Sequence, residues 1–159
     1  MSFQLINVGI ADLKVTQSPN VLRTILGSCV GVCLFDPETK VIGLSHIMLA
    51  EQNIAGTNPK KYADSAIPLL VEEMEAIGAV RSRLTAKIAG GAAMFNMGAN
   101  SIMGDIGKSN IRKVKEILGS LSIDIIADDT GGDFGRTIDF FAEDFQLRIK
   151  SIGRDEKYL

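Results

Sequence analysis

Histidine, cysteine and tryptophan are scarce in this chain, which has one histidine, two cysteines and no tryptophan among its 159 residues. The two cysteines, Cys29 and Cys33, are too few for a disulfide framework. With His46 as the single histidine, no zinc set of cysteines and histidines can form. The sequence therefore predicts no metal site and a reducing compartment.

An excess of charge of one sign is also missing. The chain has 17 Lys and Arg against 19 Asp and Glu, a formal net charge of −2 at pH 7, so no basic field attracts nucleic acid. No stretch reaches the roughly 18 apolar residues of a membrane span, and the first residues lack the basic and apolar regions of a signal peptide. We expect a cytoplasmic protein with no nucleic-acid partner and no membrane insertion.

The composition, 46% hydrophobic and 23% charged residues, is typical of one globular domain, here residues 1–159. The apolar pattern predicts an α+β fold, a single-domain layered sandwich with a mixed β-sheet and two main helices. The first helix is predicted from about Ala63 to Gly78 with Asp64 or Ser65 as its N-cap, and the second from about Ser109 to Leu121. Residues 94–107 are predicted as a long loop. Strands are predicted at residues 3–15 (a strand or hairpin), 22–26, 30–35, 41–49, 84–89, 123–127, 137–141 and 146–152.

Two of these strands form a predicted β-hairpin. A four-residue loop over residues 36–39 pairs Phe35 with Lys40. Six residues further along each strand, the same register places Cys29 directly opposite His46, with their Cβ atoms about 4.5–5.5 Å apart. A five-residue loop would instead make the two residues diagonal neighbours, and a bulge at a glycine would shift them further.

A cysteine beside a histidine is the arrangement that thiol catalysis needs. A free thiol is mostly protonated at neutral pH, and an adjacent imidazole can take its proton to give a thiolate–imidazolium pair. Gly27 and Ser28, just before Cys29, allow a substrate to approach closely and leave backbone N–H groups to bind an oxyanion. The alternative is structural, because a cysteine on an apolar strand usually packs as a small core residue. We expect this for Cys33.

Six segments of the chain, in order, resemble the signature of the CheD family. They extend over nearly the whole chain, from about residue 9 to residue 153. The segments are Leu26-Gly27-Ser28-Cys29-Val30, Leu44-Ser45-His46-Ile47-Met48-Leu49, Lys60-Lys61-Tyr62-Ala63-Asp64, Ala86-Lys87-Ile88-Ala89-Gly90-Gly91-Ala92, Ile106-Gly107-Lys108-Ser109-Asn110, and Asp129-Thr130-Gly131-Gly132 with Gly135-Arg136.

This resemblance implies a deamidase of chemoreceptor glutamines, on a layered sandwich similar to that of the cytotoxic necrotizing factor deamidases. It implies a Cys-His-Thr catalytic triad in which Cys29 and His46 carry over directly. Thr24 is the candidate third member, with Arg23 in the neighbouring position. The Cys29 thiolate would attack the amide carbon, His46 would protonate the departing ammonia, and water would release glutamate from the thioester. This chemistry uses no metal and no organic cofactor.

The resemblance also implies two kinds of partner. The cytoplasmic helices of chemoreceptors would be the substrates. The CheC phosphatase, which CheD proteins bind and stimulate in the dephosphorylation of CheY, would be a second partner where it is present. If CheC binding were the main role, the fold would serve as an interaction module, and a purely structural domain with a buried Cys29 is a third interpretation.

Overall fold

The computed structural model of the protein describes residues 2–52, 54–94 and 102–159, with the side chains of the second helix described from Ile106 onward. The α-helices are α1 (Ala63–Ala76) and α2 (Ile102–Ser120), and short 3-10 turns lie at Pro59–Lys61 and Arg81–Arg83. The strands are β1 (Leu5–Asn7), β2 (Leu13–Gln17), β3 (Val21–Leu26), β4 (Val30–Asp36), β5 (Val41–Ile47), β6 (Thr85–Gly90), β7 (Asp124–Thr130), β8 (Arg136–Phe141), β9 (Leu147–Lys150) and β10 (Lys157–Tyr158).

These strands form two five-stranded sheets in the described ranges. Sheet I has the order β1-β3-β8-β9-β10, and sheet II has the order β2-β5-β4-β6-β7. Each sheet is mixed, because β1 runs parallel to β3 in sheet I and β6 runs parallel to β7 in sheet II. The predicted α+β class, mixed strand pairing and two main helices are confirmed, with the strands divided between two sheets.

The two sheets lie face to face, and both helices pack on the far side of sheet II. Strand β4 is buried along its whole length, because both of its faces are covered. Alternate residues of β4 divide the core: Val30, Val32 and Leu34 pack in the cluster that contains the helices, whereas Cys33 and Phe35 pack against sheet I. The layers are therefore helices, sheet II and sheet I.

Helix α1 ends where the sequence predicts but begins differently. The predicted N-cap at Asp64 or Ser65 is wrong, because the N-cap is Tyr62. The first amides of the helix need no side-chain cap, since they donate to backbone carbonyls of the segment that follows β5. The helix ends at Ala76, and Gly78 follows in the left-handed region with a φ of 112°.

Two further boundary predictions are wrong. Residues 3–15 do not form a hairpin, because β1 pairs with β3 in sheet I and β2 pairs with β5 in sheet II. Alternating apolar residues identify both strands, but they do not specify which sheet each strand joins. Helix α2 begins at Ile102, so the end of the predicted 94–107 loop is helical, and residues 95–101 of that loop lie outside the described residues.

The predicted register of the β4–β5 hairpin is wrong by one residue in each strand. Asp36 belongs to β4 and pairs with Val41, so the four-residue loop starts one residue later and His46 lies opposite Gly31. Asp36 is held in the strand because the Arg83 guanidinium binds its fully buried carboxylate with two bonds of 2.9 Å. That ion pair joins residues far apart in sequence, so the local turn pattern does not reveal it.

Candidate functional site

Cys29 lies in the three-residue bend, residues 27–29, that joins β3 of sheet I to β4 of sheet II. Its thiol is free and half-buried, and it packs against the apolar core between the sheets. The end of β6 approaches the bend closely. A Cβ on Gly90, whose φ is 100°, would lie 2.3 Å from the Cys29 carbonyl oxygen, so only a glycine fits at this position.

The backbone carbonyls of the bend all accept hydrogen bonds. The Gly91 N–H donates to the Cys29 carbonyl oxygen at 2.8 Å, and the Ala92 N–H donates to the Gly27 carbonyl oxygen at 3.0 Å. The Ser28 carbonyl accepts a bond of 3.2 Å from a side-chain amide of α2. A trans peptide directs its N–H away from its carbonyl, so the N–H groups of Ser28 and Cys29 point the other way. Within the described ranges these two amides donate to no other residue.

Asn110 supplies the side-chain amide that reaches this bend. It is 1% exposed, and its Nδ2 donates to the Ser28 carbonyl at 3.2 Å and to the Met48 carbonyl at 3.0 Å. Sequence reasoning quoted Asn110 within a motif but gave it no role. Its position was the available signal, because Asn110 precedes Val114 and Leu118 at four-residue spacing on the buried stripe of α2, where an apolar side chain is expected.

His46 lies on β5 and is 2% exposed. The observed register makes it a diagonal neighbour of Cys29 rather than its direct partner, because Gly31 occupies the opposite position. Both side chains face the space between the sheets: the thiol packs against the core there, and the imidazole reaches β3 of sheet I. A diagonal relation was expected from a five-residue loop, but here it results from a four-residue loop that is displaced by one residue along the chain.

Thr24 on β3 contacts the imidazole directly and fixes its protonation. The Thr24 Oγ1 lies 2.7 Å from His46 Nδ1 and 2.7 Å from the Val8 carbonyl oxygen. A carbonyl can only accept, so the hydroxyl gives its single proton to Val8 and accepts the proton on Nδ1. The neutral imidazole therefore carries its hydrogen on Nδ1, which leaves the Nε2 lone pair as an acceptor.

Arg23, which occupies the position next to Thr24, faces elsewhere. Its guanidinium binds the Asp139 carboxylate through Nε at 2.5 Å and Nη2 at 3.0 Å. Successive residues of a strand point to opposite faces, so only one residue of the Arg23–Thr24 pair can face His46. The structure brings Thr24 to the imidazole.

A cavity of about 330 Å³ opens beside the imidazole. Its wall is formed by Asn7, Val8, Gly9, Ile10, Arg23, Thr24, Ile25 and His46. Among the described residues, those of the Cys29 bend do not line this cavity. A second cavity, of about 270 Å³, shares Ile25 with the first and is also lined by Met94, whose side chain approaches Gly27. A larger and more polar cavity, of about 420 Å³ against α2, contains none of the predicted site residues.

Burial determines the resting charge of the cysteine and the histidine. It raises the pKa of the Cys29 thiol and lowers the pKa of His46 to about 4, so both groups are neutral at pH 7. The thiolate–imidazolium pair that the sequence analysis expects from proton transfer is therefore not the resting state of these two groups. Cys33 is fully buried in the core between the sheets, as predicted, and burial raises its pKa too.

Metal ligands do not gather in the described part of the chain. No group of three or more His, Cys, Asp or Glu side chains there is arranged to hold an ion. Over the same residues, neither helix combines the length and the apolar character that a membrane crossing requires.

A cysteine in a tightly held bend, an oriented imidazole and a threonine hydroxyl are the candidate site residues of this α+β protein. The family model described as CheD chemotactic sensory transduction matches residues 48–151. The "Probable chemoreceptor glutamine deamidase CheD" of Caldanaerobacter subterraneus subsp. tengcongensis is 49% identical over 162 residues, with 100% of each chain covered. The "Chemoreceptor glutamine deamidase CheD" of Halalkalibacterium halodurans is 47% identical over 157 residues, 96% of this chain and 97% of that protein. This chain belongs to the CheD family, as its motifs predict.

Two solved structures are similar at a lower level. The Bacillus licheniformis protein YfiH has a TM-score of 0.48 and 13% identity, over 80% of this chain and 59% of its own. A Neisseria meningitidis protein of the DUF152 family has a TM-score of 0.49 and 9% identity, over 82% of this chain and 64% of its own. Similarity at this level carries no argument about the site.

Proposed function

We propose that this protein hydrolyses selected glutamine side chains of chemoreceptors to glutamate, with Cys29 as nucleophile and His46 as acid and base. Membership of the CheD family supports the reaction, because two relatives that cover nearly all of the chain are named chemoreceptor glutamine deamidases. We propose a cytoplasmic location for the same reason, since the cytoplasmic helices of receptors are the expected substrates.

The observation that carries this proposal is the bond from His46 to Thr24. A general base for a thiol needs an unprotonated nitrogen that is held in a fixed direction. The Thr24 hydroxyl, itself fixed by the Val8 carbonyl, holds the hydrogen on Nδ1 and leaves Nε2 free. A general base needs this second nitrogen as an acceptor, whereas a histidine with a purely structural role does not.

The proposed reaction has two steps. In the first, the Cys29 sulfur attacks the amide carbon of the glutamine while His46 Nε2 takes the thiol proton. The tetrahedral species then breaks its C–N bond, and the imidazolium returns that proton to the leaving group as ammonia. A γ-glutamyl thioester results. In the second step His46 removes a proton from water, the hydroxide attacks the thioester, and glutamate leaves as the thiol is restored.

The negative charge of each tetrahedral intermediate needs hydrogen-bond donors. The Ser28 and Cys29 N–H groups are suitable, because the carbonyls on the other side of their peptides are held by the end of β6 and by α2. We therefore assign Gly27 and Ser28 to the loop that forms the oxyanion site. A Cβ atom added at Gly27 would lie 3.3 Å from Cγ of Met94, so glycine lets this side chain pack closely against the bend.

The neutral resting state fits a nucleophile that is activated only when substrate is present. Burial keeps the thiol protonated and the imidazole neutral, so the proton transfer accompanies the attack on the amide. We therefore expect iodoacetamide to alkylate Cys29 slowly at neutral pH in the free enzyme.

A peptide mass-spectrometric assay tests the proposed function. The purified protein is incubated with a cytoplasmic fragment of a chemoreceptor, and the conversion of each glutamine to glutamate is measured. We expect Cys29→Ala and His46→Ala to abolish conversion. Cys33→Ala is the matched control, since it removes the other thiol, which lies in the core, and should stay active. Full activity of both the Cys29 and His46 variants would refute the mechanism.

We also propose binding of the CheC phosphatase, with stimulation of CheY dephosphorylation, as a second role. Exposed apolar side chains beside the cavities favour a docking surface, since Ile10 is 67% exposed and Ile25 is 70% exposed. Cys29→Ala should still bind CheC and raise its phosphatase rate, while Ile25→Asp should weaken binding. If Ile25→Asp binds CheC like the unmodified protein, this surface is not the docking site.

A further inference from the structure

We propose that Asn110 is a positioning residue that fixes the Cys29 bend against the end of the His46 strand. This inference rests on the proposed function, because it concerns how the proposed nucleophile and its oxyanion donors are held. The arguments are the two bonds of the Asn110 amide, the place where the β4–β5 ladder ends, and the contact between α2 and the end of β6.

The orientation of the Asn110 amide is determined by its partners. Both atoms that it contacts, the Ser28 oxygen at 3.2 Å and the Met48 oxygen at 3.0 Å, are carbonyl oxygens, which only accept hydrogen bonds. Both hydrogens of Nδ2 are therefore used, and the reverse orientation would place three oxygens together. The side chain is 1% exposed, so it is almost fully shielded from solvent.

The two carbonyls belong to the bend that holds the proposed nucleophile and to the segment that follows the strand of the proposed base. The ladder between β4 and β5 ends with the pair Val30 and Ile47. Ser28 lies two residues beyond Val30, and Met48 lies one residue beyond Ile47, where the regular ladder no longer joins the two segments. The Asn110 side chain connects the two segments here, because it donates one hydrogen bond to each of them.

Helix α2 is itself fixed against the bend. A Cβ at Gly107 would lie 2.4 Å from the Gly91 oxygen and 2.8 Å from the Ala92 oxygen, so the helix can approach this closely only with glycine. Gly91 and Ala92 donate the hydrogen bonds that hold the carbonyls of Cys29 and Gly27. The helix and the end of β6 therefore form one support for the bend, to which Asn110 adds the bond to the central carbonyl.

The bond to Ser28 has a direct consequence for chemistry. It orients the peptide between Ser28 and Cys29, whose N–H is one of the two proposed oxyanion donors. Without the amide of Asn110 this peptide can rotate, and its N–H is no longer held in the direction of the intermediate. The loss is specific to the transition state, so we expect kcat to fall while KM changes little.

A purely structural role is the alternative, and the amide oxygen of Asn110 argues against it. This Oδ1 is buried and has no hydrogen-bond partner in the described residues. A buried carbonyl without a partner costs stability. If this position of the apolar stripe served only packing, we would expect an apolar side chain here and no unpaired buried oxygen.

The test compares substitutions at Asn110 with a matched one on the same helix face. Asn110→Asp keeps the shape but lacks the two donors, and Asn110→Ser keeps one small donor. Val114→Ala, one turn further on and also fully buried, removes packing without touching the bend. Deamidation of the receptor fragment is measured for each at a temperature below its own unfolding transition. We expect kcat to fall about 10- to 100-fold in Asn110→Asp, with a smaller loss in Asn110→Ser and KM nearly constant.

The results separate this inference from the proposed function. If Cys29→Ala is inactive and the Asn110 variants have the kcat of Val114→Ala, Asn110 has no positioning role. If Cys29→Ala still deamidates the fragment, the proposed function is wrong. If Asn110→Ser is the one Asn110 variant that folds, its kcat tests the positioning role. A kcat below that of Val114→Ala supports the role, and an equal kcat overturns it.

Discussion

Replacing Thr24 by valine removes one hydroxyl and keeps the β-branched shape that suits a strand. In the structure this hydroxyl accepts from His46 Nδ1 and donates to the Val8 carbonyl, at 2.7 Å in each case. The valine leaves both groups unpaired in a buried place, since Thr24 is 3% exposed and His46 is 2% exposed. We expect Thr24→Val to impair catalysis and stability together, for different reasons.

The catalytic effect follows from the position of the imidazole hydrogen. A neutral hydrogen bond contributes about 1 kcal/mol net, and about 1.4 kcal/mol corresponds to a tenfold change in rate. Loss of the preferred tautomer alone should lower kcat of Thr24→Val by about fivefold. Rotation of the unrestrained ring of His46 increases the loss to as much as about 100-fold. The unpaired Val8 carbonyl should lower the free energy of unfolding by about 1–3 kcal/mol.

The assay is deamidation of the receptor fragment, with urea unfolding of the same preparations. Thr24→Ser retains the hydroxyl and should keep most of the activity. Thr85→Val is a matched control, because the Thr85 hydroxyl is buried without a hydrogen-bond partner in the described residues and its loss removes no bond. The reasoning is refuted if Thr24→Val is less stable but keeps the wild-type kcat, because the contact would then be structural only.

Three further predictions concern His46, Gly90 and Asp36. Burial lowers the pKa of His46 from about 6.5 to about 4, so at acidic pH unfolded chains gain a proton that folded chains do not. The free energy of unfolding should therefore decrease as the pH is lowered below about 6.5. In urea unfolding the loss should reach about 2 kcal/mol at pH 5, and since His46 is the single histidine it should disappear in His46→Asn; an equal loss in that variant would contradict the assignment. Gly90→Ala should place a Cβ 2.3 Å from the Cys29 carbonyl at a φ of 100°, and both the unfolding midpoint and deamidation should fall; unchanged values would show that the bend can move. Asp36→Asn should lower the free energy of unfolding by about 3 kcal/mol in urea at pH 7, because the Arg83 guanidinium loses its fully buried charged partner. The bond to Arg83 holds the pKa of the Asp36 carboxyl well below its usual range, so the stability of the wild-type protein should fall as the pH drops below about 4. A variant as stable as the wild type would refute the contribution of the ion pair.

The hairpin shows how local patterns and distant contacts divide the information. Alternating apolar residues and a turn of four residues predicted the β4–β5 hairpin, and the structure contains it. The register depended on whether Asp36 ends the strand or begins the turn. Arg83, which lies far along the chain, decides this by binding the Asp36 carboxylate, and no local rule includes that contact.

Helix α2 shows a similar limit at the site. The periodic apolar residues predicted its second half, but the stretch before it reads as a loop because it is rich in small and polar residues. Asn110 looked like one polar residue within a motif. Its two bonds, to the bend before β4 and to the segment after β5, exist only because sheet II brings Ser28 and Met48 to the same side.

The sequence by itself determined the family, the α+β class and the identity of the candidate nucleophile and base, since one cysteine and the one histidine fall within ordered motifs that need only residue order to recognise. The tertiary structure decided the diagonal relation of Cys29 to His46, the choice of Thr24 over Arg23, the tautomer of the imidazole and the neutral resting state of the pair. The physical reason is that hydrogen-bond direction and burial depend on residues brought together from different sheets. Thr24 and Val8 come to the imidazole from sheet I and the segment beside it, whereas His46 lies on sheet II.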